Sequence, residues 1–161
     1  MTTTIVRRTL DQVAVGDPLP ELRYDVSATT VVVGALATRD WRPQHHDYAF
    51  ATQRNGVRDI FLNAPNQAAW FERYLTDWSG PTGRLARMSF RMHDSIFPGD
   101  TMVFTASVTS VDVDETGCGW VGLDVLVAVE DRTCTTCAAR IALPVTADDN
   151  PWARHGERWV P

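Results

Sequence analysis

The sequence predicts an α+β fold: an antiparallel sheet wrapped around one long helix. Three observations point there. Over residues 65–78, Ala68, Phe71, Tyr74, Leu75 and Trp78 recur at helical spacing and form one apolar stripe. From Arg84 onward the period changes to strict alternation and repeats through several runs. The sequence also has no strand–helix–strand rhythm, glycine-rich phosphate loop or internal repeat that would argue for a parallel sheet or a repeat array.

Residues 1–30 hold little periodicity, and Val15-Gly16-Asp17-Pro18-Leu19-Pro20 reads as a turn-rich lead-in. Residues 29–36 are β-branched and apolar, which fits a short strand or a helix by pattern alone; taken as a strand, they supply one early strand. Residues 47–54 suit a short helix capped by Asp47 and stopped by Asn55-Gly56. The long helix has Asn63 near its cap, Pro65 in its first turn and Gly80-Pro81 as its stop. Its apolar face should be buried against a sheet. The alternating runs cover residues 84–92, 101–108, 120–130 and 137–143, each with one apolar face. Pro98-Gly99-Asp100 and Thr116-Gly117 supply turns.

The chain has 161 residues, 44% hydrophobic and 22% charged, with a net charge of −5. That favours a single domain over residues 1–161, with a core over about 14–145 and a polar tail over 146–161. The tail carries Trp152 and Trp159, so it should pack on its own domain or on a partner. The absence of a lysine- or arginine-rich run argues against nucleic acid. The longest apolar run is too short to span a bilayer. Residues 1–10 are polar and basic without an apolar leader segment, and three cysteines do not make a disulfide framework, so a cytoplasmic setting is expected.

The segment Asp40-Trp41-Arg42-Pro43-Gln44-His45 holds the chemistry. The ring of Pro43 fixes its own φ and pushes Arg42 toward extended backbone, so the segment reads as a rigid loop or strand end rather than a helical turn. Held that way, Asp40 and His45 can converge on one water and activate it. For an isolated acid and imidazole, the ordinary reading is a packed histidine and a helix cap. The proline between them and their place ahead of a short helix favour the catalytic reading instead.

These residues resemble the MaoC-like, R-specific hydratase 2, branch of the hot-dog fold. The family pattern is Asp, any residue, Asn, Pro, any residue, His; Arg42 stands where the Asn is usual. Phe97-Pro98-Gly99-Asp100-Thr101 looks like the family's Pro-Gly-Asp turn, and Val15-Gly16-Asp17-Pro18 resembles its N-terminal segment. Ala37-Thr38-Arg39-Asp40, His45-His46-Asp47, Arg58-Asp59-Ile60-Phe61-Leu62-Asn63 and Arg73-Tyr74-Leu75-Thr76-Asp77-Trp78-Ser79-Gly80-Pro81 look like the small MaoC subunit of bacterial steroid side-chain enoyl-CoA hydratases.

The resemblance implies a hot-dog fold and hydration of a trans-2-enoyl-CoA to a 3-hydroxyacyl-CoA, with Asp40 and His45 as the catalytic pair. It implies no cofactor, coenzyme A being part of the substrate. The chain would be the catalytic member of a heteromer with a second MaoC-type chain, or otherwise a homodimer. The thioester oxygen would be met by backbone N–H groups at the start of the long helix, near Asn63 and Ala64. The rival readings are a hot-dog thioesterase and a non-catalytic partner subunit.

Other candidates carry less. His46-Asp47, His93 and His155 form no ligand cluster, and no metal is expected. Cys134 and Cys137, three apart in an extended strand, should lie on opposite faces and share no ligand. Arg54, Arg58, Arg84, Arg87 and Arg91 could meet CoA phosphates, although solvated strand edges explain such residues more simply. Trp70, Phe71, Tyr74 and Trp78 read as core and interface, with room to line an acyl tunnel.

Overall fold

The computed structural model describes residues 7–161. The reading of residues 1–10 as lacking an apolar leader rests mostly on residues outside that range. The described chain runs β1 (Leu22–Asp25), α1 (Ala28–Ala37), α2 (Tyr48–Gln53), α3 (Ala64–Ser79), β2 (Arg84–Met92), β3 (Thr101–Val113), β4 (Gly119–Val129) and β5 (Arg132–Leu143). The strands form one five-stranded sheet in the order β1-β3-β4-β5-β2, every neighbouring pair antiparallel.

Helix α3 forms where its caps and stripe direct it. The Asn63 side chain accepts the Asn66 N–H at 3.2 Å, Pro65 sits in the first turn, and Gly80 ends the helix at φ 73°. Its buried face lies over the inner side of the sheet. The Phe71 ring meets Phe90 at 5.7 Å and Phe104 at 5.6 Å, and Tyr74 also packs on Phe104. Phe71 is fully buried, and such burial contributes about 1.5–3 kcal/mol. Helix α2 follows its sequence signals closely, with Asp47 accepting the Phe50 N–H at 3.0 Å.

Three expectations need correction. The segment 29–36 is helical, not an early strand. Ser27 caps it by accepting the Thr30 N–H at 3.0 Å, and that cap decides between two patterns the apolar content alone left equal. The early strand is instead β1, only four residues long and too short for alternation to stand out. Residues 43–45 form one turn of 3-10 helix, with Pro43 at its start. Arg42 is extended as expected, at φ −66° and ψ 127°, but a proline that cannot sit inside a helix readily opens one. Finally, Cys134 and Cys137 do not face opposite ways. The β4–β5 register jumps from Val127↔Thr135 to Ala128↔Thr133, so Cys134 is an extra residue in a bulge. The bulge resets the alternation, and both thiols join one core cluster as free cysteines. Burial pushes the Cys137 thiol up to about 11.

The tail packs on its own domain. Trp159 stacks near Trp120 at 5.1 Å, and the Arg84 guanidinium sits 3.7 Å from the Trp159 ring centre. Arg84 donates to the carbonyls of Pro151 and Arg154, and Arg87 donates to that of Pro161. No described helix is long and apolar enough to cross a membrane.

Candidate active site

The backbone between α1 and α2 is steered by three local devices. The Thr38 hydroxyl donates to the Gly34 carbonyl at 2.8 Å and closes α1. Arg39 then takes a left-handed conformation at φ 55°, which costs a non-glycine residue about 1–2 kcal/mol. It turns the chain so that Asp40, whose N–H is held by the Ala35 carbonyl at 2.9 Å, heads away from the helix. The 3-10 turn at Pro43–His45 then brings the imidazole back toward the carboxylate.

The result is a contact between Asp40 Oδ2 and His45 Nε2 at 3.5 Å, with 19% of the Asp40 side chain and 5% of the His45 side chain exposed. Each partner is tethered from behind. His45 Nδ1 donates to the Phe61 carbonyl at 2.7 Å, which leaves Nε2 as the nitrogen available to the carboxylate and the cleft. The Phe61 ring meets the imidazole edge-on at 4.9 Å. Asn63 Nδ2 donates to Asp40 Oδ2 at 3.0 Å and to the Thr38 hydroxyl at 2.8 Å. Asp40 Oδ1 accepts the Arg42 N–H at 3.3 Å. The Asn63 amide holds the Asp40 carboxyl below its ordinary value of 3.8, against the opposing pull of partial burial. The Arg42 N–H and the neighbouring His45 and Arg42 charges add to that lowering.

Asp40, His45, Asn63 and Ala64 all line one cleft of about 720 Å³, with Gln67 and residues 92–95 contributing further wall. All four residues singled out in the sequence therefore meet there. The Asn63 side chain caps α3 and anchors Asp40 at once. That second bond, the Phe61 carbonyl and Gln67 were missed, because nothing in residue spacing shows which side chains meet across 16 or more positions.

The remaining candidates are engaged in other contacts or lie on the surface. Among the described residues no group of three potential metal ligands converges. His93 also lines the cleft but is bonded to the Thr136 hydroxyl at 2.9 Å. Arg58 pairs with Asp100 and stacks 4.5 Å from the Phe97 ring centre, and Arg84 and Arg87 hold the tail. Arg54 and Arg91 stay on the surface.

A sheet curled over one helix, with its cleft opening at the start of that helix, defines a hot-dog protein. Comparison with known proteins narrows the class. No protein-family model matches the chain. Over 98 residues it is 38% identical to the 3-oxo-4,17-pregnadiene-20-carboxyl-CoA hydratase beta subunit of Mycobacterium tuberculosis, covering 61% of this chain and 75% of that one. It superposes on a chain in the crystal structure of the ChsH1–ChsH2 complex from Mycobacterium tuberculosis with a TM-score of 0.74 and 31% identity, covering 81% and 98% of the two chains. The (R)-hydratase from A. caviae involved in PHA biosynthesis shares the fold, with a TM-score of 0.73 at 22% identity and coverage of 82% and 98%. The chain belongs to the MaoC-like hot-dog family.

Proposed function

We propose that the chain is a cofactor-free enoyl-CoA hydratase. It adds water across a trans-2-enoyl-CoA to give a 3-hydroxyacyl-CoA. The observation that carries this reading is the 3.5 Å approach of Asp40 Oδ2 and His45 Nε2 in an open cleft. In the neutral ring both atoms are acceptors. One water can donate to each and present its lone pair to the cleft, which is the orientation of a nucleophile. As the water oxygen bonds to the β-carbon, one member of the pair takes its proton. The electrons of the double bond move onto the thioester oxygen, and a proton delivered to the α-carbon completes the addition. The two groups act as one coupled pair.

Two further parts of the reading draw on the relatives. The 38% identity to a pregnadiene-carboxyl-CoA hydratase subunit supports a steroid side chain as the acyl group. The likeness to a chain from a two-component complex supports a second MaoC-type chain as partner. The intact and doubly tethered Asp40–His45 pair favours this chain as the catalytic member. The three free, buried cysteines suit the reducing setting of the cytosol.

Asp40→Ala and His45→Ala test the reading. The chain and any co-purifying partner are assayed for loss of enoyl absorbance and, in parallel, for release of free thiol. Hydration should fall by about 10²–10⁴-fold in each variant while both stay folded. Near-normal hydration in both variants, or thiol release as the main reaction of the wild type, would refute it.

A further inference from the structure

The cleft holds a polar side chain that the Asp40–His45 chemistry does not use. Gln67 lies in the first turns of α3, is 3% exposed and lines the same cavity as the pair. Its Oε1 accepts the hydroxyl of Thr135, a fully buried β5 residue, at 2.6 Å. That bond fixes the rotation of the amide, with the oxygen on Thr135 of β5 and the nitrogen beside Met92, the cleft-lining β2 residue that pairs with Thr135. Among the described residues the only partner of Nε2 is the sulfur of Met92, at 3.5 Å. A thioether is a weak acceptor, and the nitrogen carries two protons. A buried, oriented amide is therefore left with donor capacity almost unspent, which is costly unless a ligand takes it up. Met92 is itself 48% exposed and unbranched, so it can swing aside.

Direction matters as much as capacity. Helical side chains lean toward the N-terminus, so Gln67 covers the turn that begins at Ala64. The N–H of Ala64 is among the first of the helix and has no intrahelical acceptor.

We infer that Gln67 Nε2 and the Ala64 N–H together bind the thioester carbonyl oxygen of the acyl-CoA and stabilise the enolate that forms there. This rests on the enoyl-CoA reading above. When water bonds to the β-carbon, negative charge moves to that oxygen and strengthens both hydrogen bonds. Return of a proton to the α-carbon restores the carbonyl and weakens them. Gln67 is on this basis a catalytic residue, and its contribution appears in the turnover rather than in substrate affinity.

The test uses Gln67→Met with Thr135→Val. The pair removes both ends of the buried bond without stranding either, which keeps the protein folded. Thr135→Val alone serves as control, because it keeps the amide nitrogen. Hydration kinetics are measured alongside the ¹³C resonance of the thioester carbonyl in a bound, carbonyl-labelled saturated acyl-CoA. In the double variant kcat should fall about 10²-fold, the loss typical of one oxyanion donor. KM should stay close to wild type, and the carbonyl resonance should lose the displacement seen with wild type. Thr135→Val, which keeps the donor but frees its rotation, should fall between wild type and the double variant in both. If the double variant does not fold, Gln67→Glu, which keeps the acceptor for Thr135 but replaces the donor with a negative oxygen, must lower kcat at least as far. Unchanged kcat in a folded variant, or a loss confined to KM with an unmoved resonance, overturns the inference while leaving wild-type hydration intact. A wild type that hydrates no enoyl-CoA overturns the parent reading instead.

Discussion

Asn63→Asp separates what Asn63 does for the helix from what it does for the site. Aspartate is as good an N-cap as asparagine, so the acceptor for the Asn66 N–H survives. The donor to Asp40 Oδ2 at 3.0 Å is lost, and a second carboxylate takes its place. Two unit charges about 4 Å apart repel by about 4 kcal/mol at an effective dielectric of 20, equivalent to about three pH units. The Asp40 side chain is 19% exposed, so solvent screens part of this. We expect the acid limb of the hydration pH profile to move up by about two pH units in the variant, because two adjacent carboxylates cannot both stay ionised.

The sign for stability follows from the same bond. The Asp40 carboxyl is held below its ordinary value in the folded protein. Its contribution is therefore complete above that value and is lost as the pH falls through the lowered one. In Asn63→Ala, loss of the helix cap and of a hydrogen bond to a charged group should together cost about 3 kcal/mol at neutral pH. The difference from wild type in urea unfolding should begin to narrow as the pH falls below about 4 and be smallest once it has passed the lowered value, where both proteins carry a protonated Asp40. An acid limb that does not move in folded Asn63→Asp would show that Asn63 is not what keeps Asp40 ionised.

Two further substitutions probe the packing around α3. A Cβ on Gly34 would lie 1.9 Å from Asn66 Nδ2, which itself donates to the Thr30 carbonyl at 3.1 Å. Gly34→Ala should therefore lose about 1–3 kcal/mol in denaturant unfolding despite the better helix propensity of alanine, and adding Asn66→Ala should recover part of it; a stabilised single variant would contradict the close α1–α3 contact. Tyr74 has a buried hydroxyl with no hydrogen-bond partner, and burial pushes it up to about 12, helped by the Glu21 charge. Tyr74→Phe should leave thermal stability unchanged or raise it, and a loss of more than about 1 kcal/mol would mean that the hydroxyl has a partner after all.

Much of the fold was legible because its signals are local. The stripe from Phe71 to Trp78 and the alternation over residues 84–92 follow directly from the 3.6- and 2-residue periods of the backbone. Caps such as Asp47 and Asn63, and the stop at Gly80, act within a few residues. Failures came where a single residue decided between near-equal patterns. Ser27 made a helix of residues 29–36, and one extra residue at Cys134 put its thiol in the same core as that of Cys137, while the facing of Cys137, Ala139, Ile141 and Leu143 follows the alternation.

The candidate site divides in the same way. The sequence alone determined that an acid and an imidazole flank a proline, and that a capped amphipathic helix follows, since both depend on neighbours along the chain. Tertiary structure decided which groups tether them: the Phe61 carbonyl 16 positions from His45, the Asn63 amide 23 positions from Asp40, and Thr135, 68 positions from Gln67. Those partners meet because α3 is buried against the sheet, and burial obliges each polar atom it covers to find a partner wherever the packing brings one within reach.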